Sequence, residues 1–360
     1  MASAFNNGTF TFNPEELKDI SKIINALTFG NKALNEVHAI EQGIKHNMQI
    51  VFANNTGLLG KKVGANCTPN EISGVVMSEK FWTPVFEDFR LKHCTTDVDQ
   101  QDKLINQMAR MNPDFYSIID GSQKTVGDFL IASIIARFQE NLIQKVWFDD
   151  TTAETIADGG VFTNGTDISY FTGFDGIFKQ IFAETALSTG GKYFTAIAKN
   201  AGNSYANQAL ADGDAIAAFK GAFNKADSRL RALPNAKFLV TRSLYDGLVN
   251  DLESKENTGG GITMINKDGV SVLTYRGYEV VMMDVWDRTI DAYQNNGTKR
   301  NIPHRLVFTV ADNIPVGTLA VDDFGKVDAF FDKYHKVNVI DAVYSLDAKL
   351  LEDYKTSVAY

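Results

Sequence analysis

The sequence predicts an α+β fold hung on one long helix. Three observations carry this. Residues 125–148 repeat apolar side chains at helical spacing. A glycine-rich stretch sits between two strand-like runs within 31–95, which predicts a projecting hairpin. From about residue 190 strands and helices alternate, which predicts an inserted α/β unit, and a return of strands follows.

Residues 1–13 are polar, punctuated by Phe, and without period; they read as an extended arm. Asn13 then suits an N-cap, with Pro14 at the first helical position and Glu15 and Glu16 in the first turn. Leu17, Ile20, Ile24 and Leu27 form one stripe, and Gly30 follows the expected end near Phe29. That face packs on its own domain or on a neighbouring subunit. Residues 35–52 end in an alternating run, and 72–91 return with strand character. Between them lie Gly57, Gly60, Gly64 and Gly74, so the segment buries little by itself and predicts a long hairpin rather than a domain. Such a hairpin exposes unpaired edges and favours an obligate oligomer.

Residues 97–112 predict a short helix stopped by Pro113. In the long helix, Thr125 and Asp128 have capping-box spacing; Val126, Leu130, Ile134 and Phe138 recur every four residues, widened by Ile131, Ile135, Leu142 and Val146. Ser133, Arg137, Asn141 and Gln144 leave a narrow polar face. Asp149 and Asp150 suit the negative end of the helix dipole poorly, which places the stop near Phe148 and the length at roughly 34 Å. Residues 151–170 predict a surface loop with a short hairpin, and 176–185 a short helix.

Next come an expected strand at 192–199, a helix at 215–232, a buried strand at 237–241 and a helix at 243–252. Three consecutive glycines mark a tip at 254–262. Strands at 270–275 and 278–283 turn through Arg276 and Gly277, and Trp286 opens a short helix. Strands at 305–310 and 313–321, then at 337–344 and 349–359, have no helices left to cover them, so they are expected to fold back onto the long helix. That makes a discontinuous domain of about 96–190 plus 320–360.

Composition excludes several functions. The chain has 360 residues, 44% hydrophobic and 22% charged, with net charge −9. No basic block exists, which disfavours a protein gripping phosphate backbones. No run reaches 18 apolar residues, so no membrane span is predicted. The first residues lack the basic-then-apolar order of a secretory signal. Two cysteines, Cys67 and Cys94, point to a reducing compartment. The stretch 57–62 lacks phosphate-loop spacing, as does 190–192, and His93 with Cys94 and Cys67 offers no zinc pattern. The five histidines are scattered and no nucleophile motif appears. No catalytic, cofactor-binding or metal-ligating residue is assigned, and no enzyme activity is expected.

The order arm, hairpin, long helix, inserted α/β unit, returning strands resembles the major capsid protein of tailed bacteriophages, the Hong Kong 97-type fold. The runs 212–252, 275–288 and 306–318 resemble the axial domain of such proteins. The resemblance implies an arm at 1–35, an extension loop at 36–95 lying over the adjacent subunit, a peripheral domain at 96–190 and 320–360 with its spine helix at 125–148, and an axial domain at 191–319. It implies an icosahedral head shell in the virion, assembled in the host cytoplasm from hexamers and pentamers. Portal, scaffolding and other head proteins are the implied partners, with double-stranded DNA enclosed without sequence-specific contact. Phe81, Trp82 and Phe86 become candidate inter-subunit anchors, and Gly259, Gly260 and Gly261 the candidate tip facing the capsomer centre. A family cross-link would need a buried glutamate and a partner asparagine beside Lys61 or Lys62, and neither is identified. An encapsulin-like nanocompartment shares the implied fold, and a soluble α/β enzyme is the remaining alternative.

Overall fold

The computed structural model describes residues 32–53, 77–94, 126–187, 190–254, 262–267, 270–319, 328–332, 334–335 and 337–360. The expected arm, the helices at 14–29 and 97–112, the glycine-rich stretch and the tip with Gly259, Gly260 and Gly261 lie outside them.

In chain order the elements are α1 (Lys32–Val37), β1 (Ile40–Gln42), β2 (Gln49–Ala53), β3 (Met77–Phe81), β4 (Val85–Cys94), α2 (Val126–Phe148), α3 (Ile177–Ala186) and β5 (Phe194–Thr195). Then come α4 (Asp214–Lys225), β6 (Lys237–Val240), α5 (Arg242–Ser254), β7 (Ile262–Lys267), β8 (Val270–Tyr275), β9 (Tyr278–Met282) and α6 (Asp284–Tyr293). The chain closes with β10 (Leu306–Thr309), β11 (Val316–Thr318), β12 (Asp328–Asp332), β13 (Val337–Ala348) and β14 (Thr356–Ala359).

Seven strands form one sheet in the order β5-β14-β10-β6-β9-β8-β7. Its two faces follow from side-chain alternation. Phe238, Val240, Leu306 and Phe308 point into a core closed by α4 and α5, through Phe219, Ala222, Leu244 and Leu248. Leu239, Val307 and Val358 point the other way, into a core with Trp147, Phe178 and Trp286 from α2, α3 and α6. Central strands covered on both faces read as unbroken apolar runs, as residues 238–240 and 306–308 do.

A second sheet has the order β1-β11-β13-β12, with β4 on the other side of β13. β4 and β13 pair antiparallel from Val85–Leu346 to Cys94–Val337. The odd residues of β4 face α2: Phe89 meets Phe138 at 5.5 Å between centroids, and Phe138 meets Tyr344 edge-on at 4.9 Å. β2 and β3 form a separate two-stranded ribbon.

Several expectations are corrected. β4 was grouped with the hairpin, but Trp82, Thr83 and Pro84 break the run, and β4 joins the second sheet. The expected strand at 192–199 shrinks to Phe194–Thr195 between two 3-10 turns, Gly190–Tyr193 and Ala198–Ala201. The helix at 215–232 stops at Lys225, because Asp227 accepts from the backbone N–H of Arg229 and starts a new turn. The short hairpin at 151–170 is instead a pair of 3-10 turns, Ile156–Asp158 and Ile168–Phe171. The strand at 349–359 begins only at Thr356; it joins the seven-stranded sheet beside β10 and β5, and through Val358 it shares the core that holds the end of the long helix. α1, β7 and β12 were not foreseen.

Trp147 sits unexposed where the layers meet, 4.5 Å from Trp286 and 5.0 Å from Phe178. Its indole N–H donates to His38 Nε2 at 3.0 Å, and His38 Nδ1 lies 2.8 Å from the Ile314 carbonyl. The indole only donates, so Nδ1 carries the proton and the ring is neutral. Burial lowers its pKa to about 4, and the Ile314 bond opposes this only in part. The folded value lies below the ordinary 6.5. The stability this neutral ring contributes is therefore whole above that pH, and it is lost as pH falls toward about 4. His38→Phe is expected to lose about 1–3 kcal/mol at neutral pH. Its deficit against the parent should shrink below about pH 6. Urea unfolding across pH measures both; a deficit independent of pH would contradict this account.

Candidate assembly interface

The ribbon of β2 and β3 leaves the body at one pinned corner. Trp82 is fully buried and its backbone N–H donates to Met48 O at 2.9 Å, while Asn47 N–H donates to Trp82 O at 2.8 Å. Asn47 takes φ of 60°, a left-handed turn that asparagine tolerates better than most residues. The indole lies on Gly317 of β11. A Cβ built at Gly317 would stand 2.6 Å from Ile44 Cδ1 and 2.9 Å from Trp82 Cζ3, so only glycine lets the ring settle there. Thr83 N–H donates to Asp347 Oδ2 at 2.7 Å, and Lys349 Nζ lies 3.2 Å from the same oxygen. Burial raises the Asp347 pKa, and Lys349 opposes the shift.

Register sets which side of the ribbon faces out. Gln49 pairs Phe81 and Val51 pairs Glu79, so these four share a face; Ile50 and Lys80 share the other. Lys80 turns toward the body and its ammonium bonds the Leu350 carbonyl, with its pKa lowered by burial. The opposite face presents Val51 at 53% exposure and Phe81 at 45%, next to Met48 at 46%. Glu79 and Gln49 bond each other on that face.

On β4 the even face adds one exposed aromatic, Phe86, followed by the exposed charges of Asp88, Arg90 and Lys92. Phe86 is 67% exposed and lies diagonal to Val343, also exposed, across the pairing with β13. Arg90 pairs Asp341 at 3.1 Å beyond them. A cleft of about 700 Å³ opens beside Phe86, between β4, the polar side of α2 at Arg137, Asn141 and Lys145, and Tyr170.

The three candidate aromatics therefore separate. Phe86 is mostly exposed, Phe81 is about half exposed, and Trp82 fills the chain's own core. Met48, Val51 and Val343 were missed by the sequence reading. Their signal was available in part, since Val51 and Phe81 hold outward positions in the alternation. Among the described residues no group of three His, Cys, Asp or Glu is placed to hold a metal ion, and no helix is long and apolar enough to cross a membrane.

No protein-family model matches the chain, and no curated protein matches it in sequence. Solved structures do match in fold. A chain of the satellite phage P4 procapsid including size determination (Sid) protein is 9% identical, with 94% of this chain and 97% of that one covered, at TM-score 0.50. A chain of the capsid of cyanophage P-SCSP1u is 11% identical, with 91% and 86% covered, also at 0.50. The holo-SrpI encapsulin complex from Synechococcus elongatus PCC 7942 gives 9% identity, 99% and 91% coverage and a lower TM-score of 0.45. Over nearly its whole length, the chain resembles phage capsid proteins in fold.

Proposed function

We propose that the chain is the major capsid protein of a tailed phage or phage-like particle, building an icosahedral shell around double-stranded DNA. The carrying observation is the fold likeness to two phage capsid structures along nearly the full length of the chain. The ribbon supports the reading, because a two-stranded hairpin with an apolar outer face is marginal alone and gains stability when another surface covers it. Many weak copies of such a contact close a shell through multivalency. A net charge of −9 suits enclosing DNA without adhering to it.

In this reading the architecture is Hong Kong 97-like. Residues 1–35 are the arm, 36–95 the extension loop, 96–190 and 320–360 the peripheral domain, and 191–319 the axial domain. β4 roots the loop in the peripheral sheet, and β14 ties the end of the peripheral segment into the axial sheet. The partners are further copies in hexamers and pentamers, together with portal, scaffolding and other head proteins. The protein belongs to the virion after assembly in the host cytoplasm, and it carries no catalytic residue.

Electron microscopy and size-exclusion chromatography of the full chain test this. Closed shells, tubes, or discrete pentamers and hexamers are expected, alone or with the particle's scaffold. A chain that stays monomeric with its natural partners present would overturn the reading.

A further inference from the structure

Asp149 follows the last residue of α2 and has no exposed surface. Neither carboxylate oxygen has a hydrogen-bond partner of good geometry, although the N–H groups of Gly173 and Phe174 point toward it. Among the described residues its nearby cation is Lys145 of α2, which stands 3.9 Å away and is already engaged. Lys145 Nζ lies 3.0 Å from both oxygens of Glu87 on β4 and donates to the Tyr170 carbonyl at 2.8 Å. Tyr344 of β13 donates its hydroxyl to Glu87.

Gly173 fixes how close the two acids come. A Cβ built there would be 2.6 Å from Glu87 Oε1 and 2.9 Å from Asp149 Oδ2, so these oxygens lie within about 5.5 Å of each other. Two carboxyl groups thus share one ammonium in a largely buried place. Asp88 of β4 adds a further negative charge acting on Tyr344. Among the described residues, the turn at 170–174 contributes only backbone groups. One ammonium facing two carboxyl groups leaves a surplus negative charge whenever Asp149 is ionised.

We propose that Asp149, Glu87, Lys145 and Tyr344 form a proton-controlled latch that sets how tightly the paired strands β4 and β13 lie against the end of α2. Protonated, Asp149 adds no charge and the strands close on the helix. Ionised, it places a second negative charge beside Glu87, and the contact loosens until water reaches the pair. Consistent with this geometry, burial raises the Asp149 pKa to about 8; Lys145 opposes the shift and Glu87 adds to it. The latch acts within one subunit and does not depend on the shell reading.

Hydrogen exchange of the full chain tests the latch, followed at β4 and β13 from about pH 6 to about 9.5 and corrected for intrinsic rates. The infrared carboxylic-acid band is followed in parallel. Protection of both strands is expected to fall about tenfold or more through a midpoint near pH 8, as the band disappears. Asp149→Asn should remove the transition. Glu87→Gln should move its midpoint down by about one pH unit or more, because it removes the neighbouring negative charge; a purely structural Asp149 would not respond this way. Constant protection in the parent, or one unchanged midpoint in Glu87→Gln, overturns the proposal. Glu87→Gln decides the matter if Asp149→Asn does not fold.

Discussion

Phe81→Ser with Phe86→Ser is expected to abolish assembly and leave the subunit folded. Phe86 stands mostly in solvent and Phe81 is about half covered, so their loss costs the subunit's own packing about 0.5 kcal/mol at Phe86 and about 1 kcal/mol at Phe81. Covered by another copy, each ring gains about 1.5–3 kcal/mol from burial. The pair is then worth about 3–6 kcal/mol per subunit, or about 10²–10⁴-fold in association. A lattice repeats that loss at every copy. Urea unfolding of the double variant should stay within about 1.5 kcal/mol of the parent, while electron microscopy shows no shells at the parent's assembly concentration. Normal shells would remove these two side chains from the interface. Trp82→Ser is the contrasting variant: it should unfold the corner at Gly317 and lower subunit stability, because that ring is wholly internal.

Arg305→Ala is expected to destabilise the subunit by about 3–5 kcal/mol, the largest single effect on folding. Arg305 opens β10's end of the sheet and is buried, with its guanidinium 4.4 Å from the Phe178 ring centroid and 5.1 Å from that of Phe148. Its Nε donates to the Ile302 carbonyl at 2.9 Å, and one terminal nitrogen donates to Gln294 Oε1 at 2.8 Å and to Asn301 O at 3.2 Å. Burial lowers its pKa to about 9, opposed by Asp287, so it stays charged at neutral pH. The fork holds a backbone under strain, since Ile302 sits at φ of 44°, unusual for a β-branched residue. Removing the side chain leaves a cavity, takes the donor from the Ile302 and Asn301 carbonyls, and leaves Gln294 Oε1 only the Asn301 amide at 3.4 Å. Arg305→Lys keeps the charge but not the planar fork, so it should recover only part of the loss. Calorimetric unfolding of the three proteins ranks them; equal midpoints for Arg305→Ala and the parent would refute the account.

Local signals were legible where local chemistry decides. The long helix stops at Phe148 as its period and the following acids required. The turn at Arg276 and Gly277 takes the expected positive φ values, 50° and 88°. The reason given for the stop was incomplete, however: Asp149 does not merely avoid the helix dipole but is buried among Glu87 and Tyr344, 62 residues upstream and 195 downstream. Strand partners were not legible. β4 has the same alternating pattern whether it pairs with β3 or with β13, and only the break at Trp82 and Pro84 separates the cases. Trp82, Phe81 and Phe86 look equivalent as aromatics in one stretch; burial divides them because Gly317, far along the chain, opens a place for one ring. β14 went to the central sheet because β10 had a free edge that the sequence does not advertise.

β13 and β11 hold β4 and β1 across separations of more than 240 residues. Contacts this distant in sequence close late, after the intervening chain has found its own order. The corner that carries the ribbon is therefore among the last parts to form. A chain caught partway through folding has no anchored ribbon to offer, so under the capsid reading an immature copy lacks this contact.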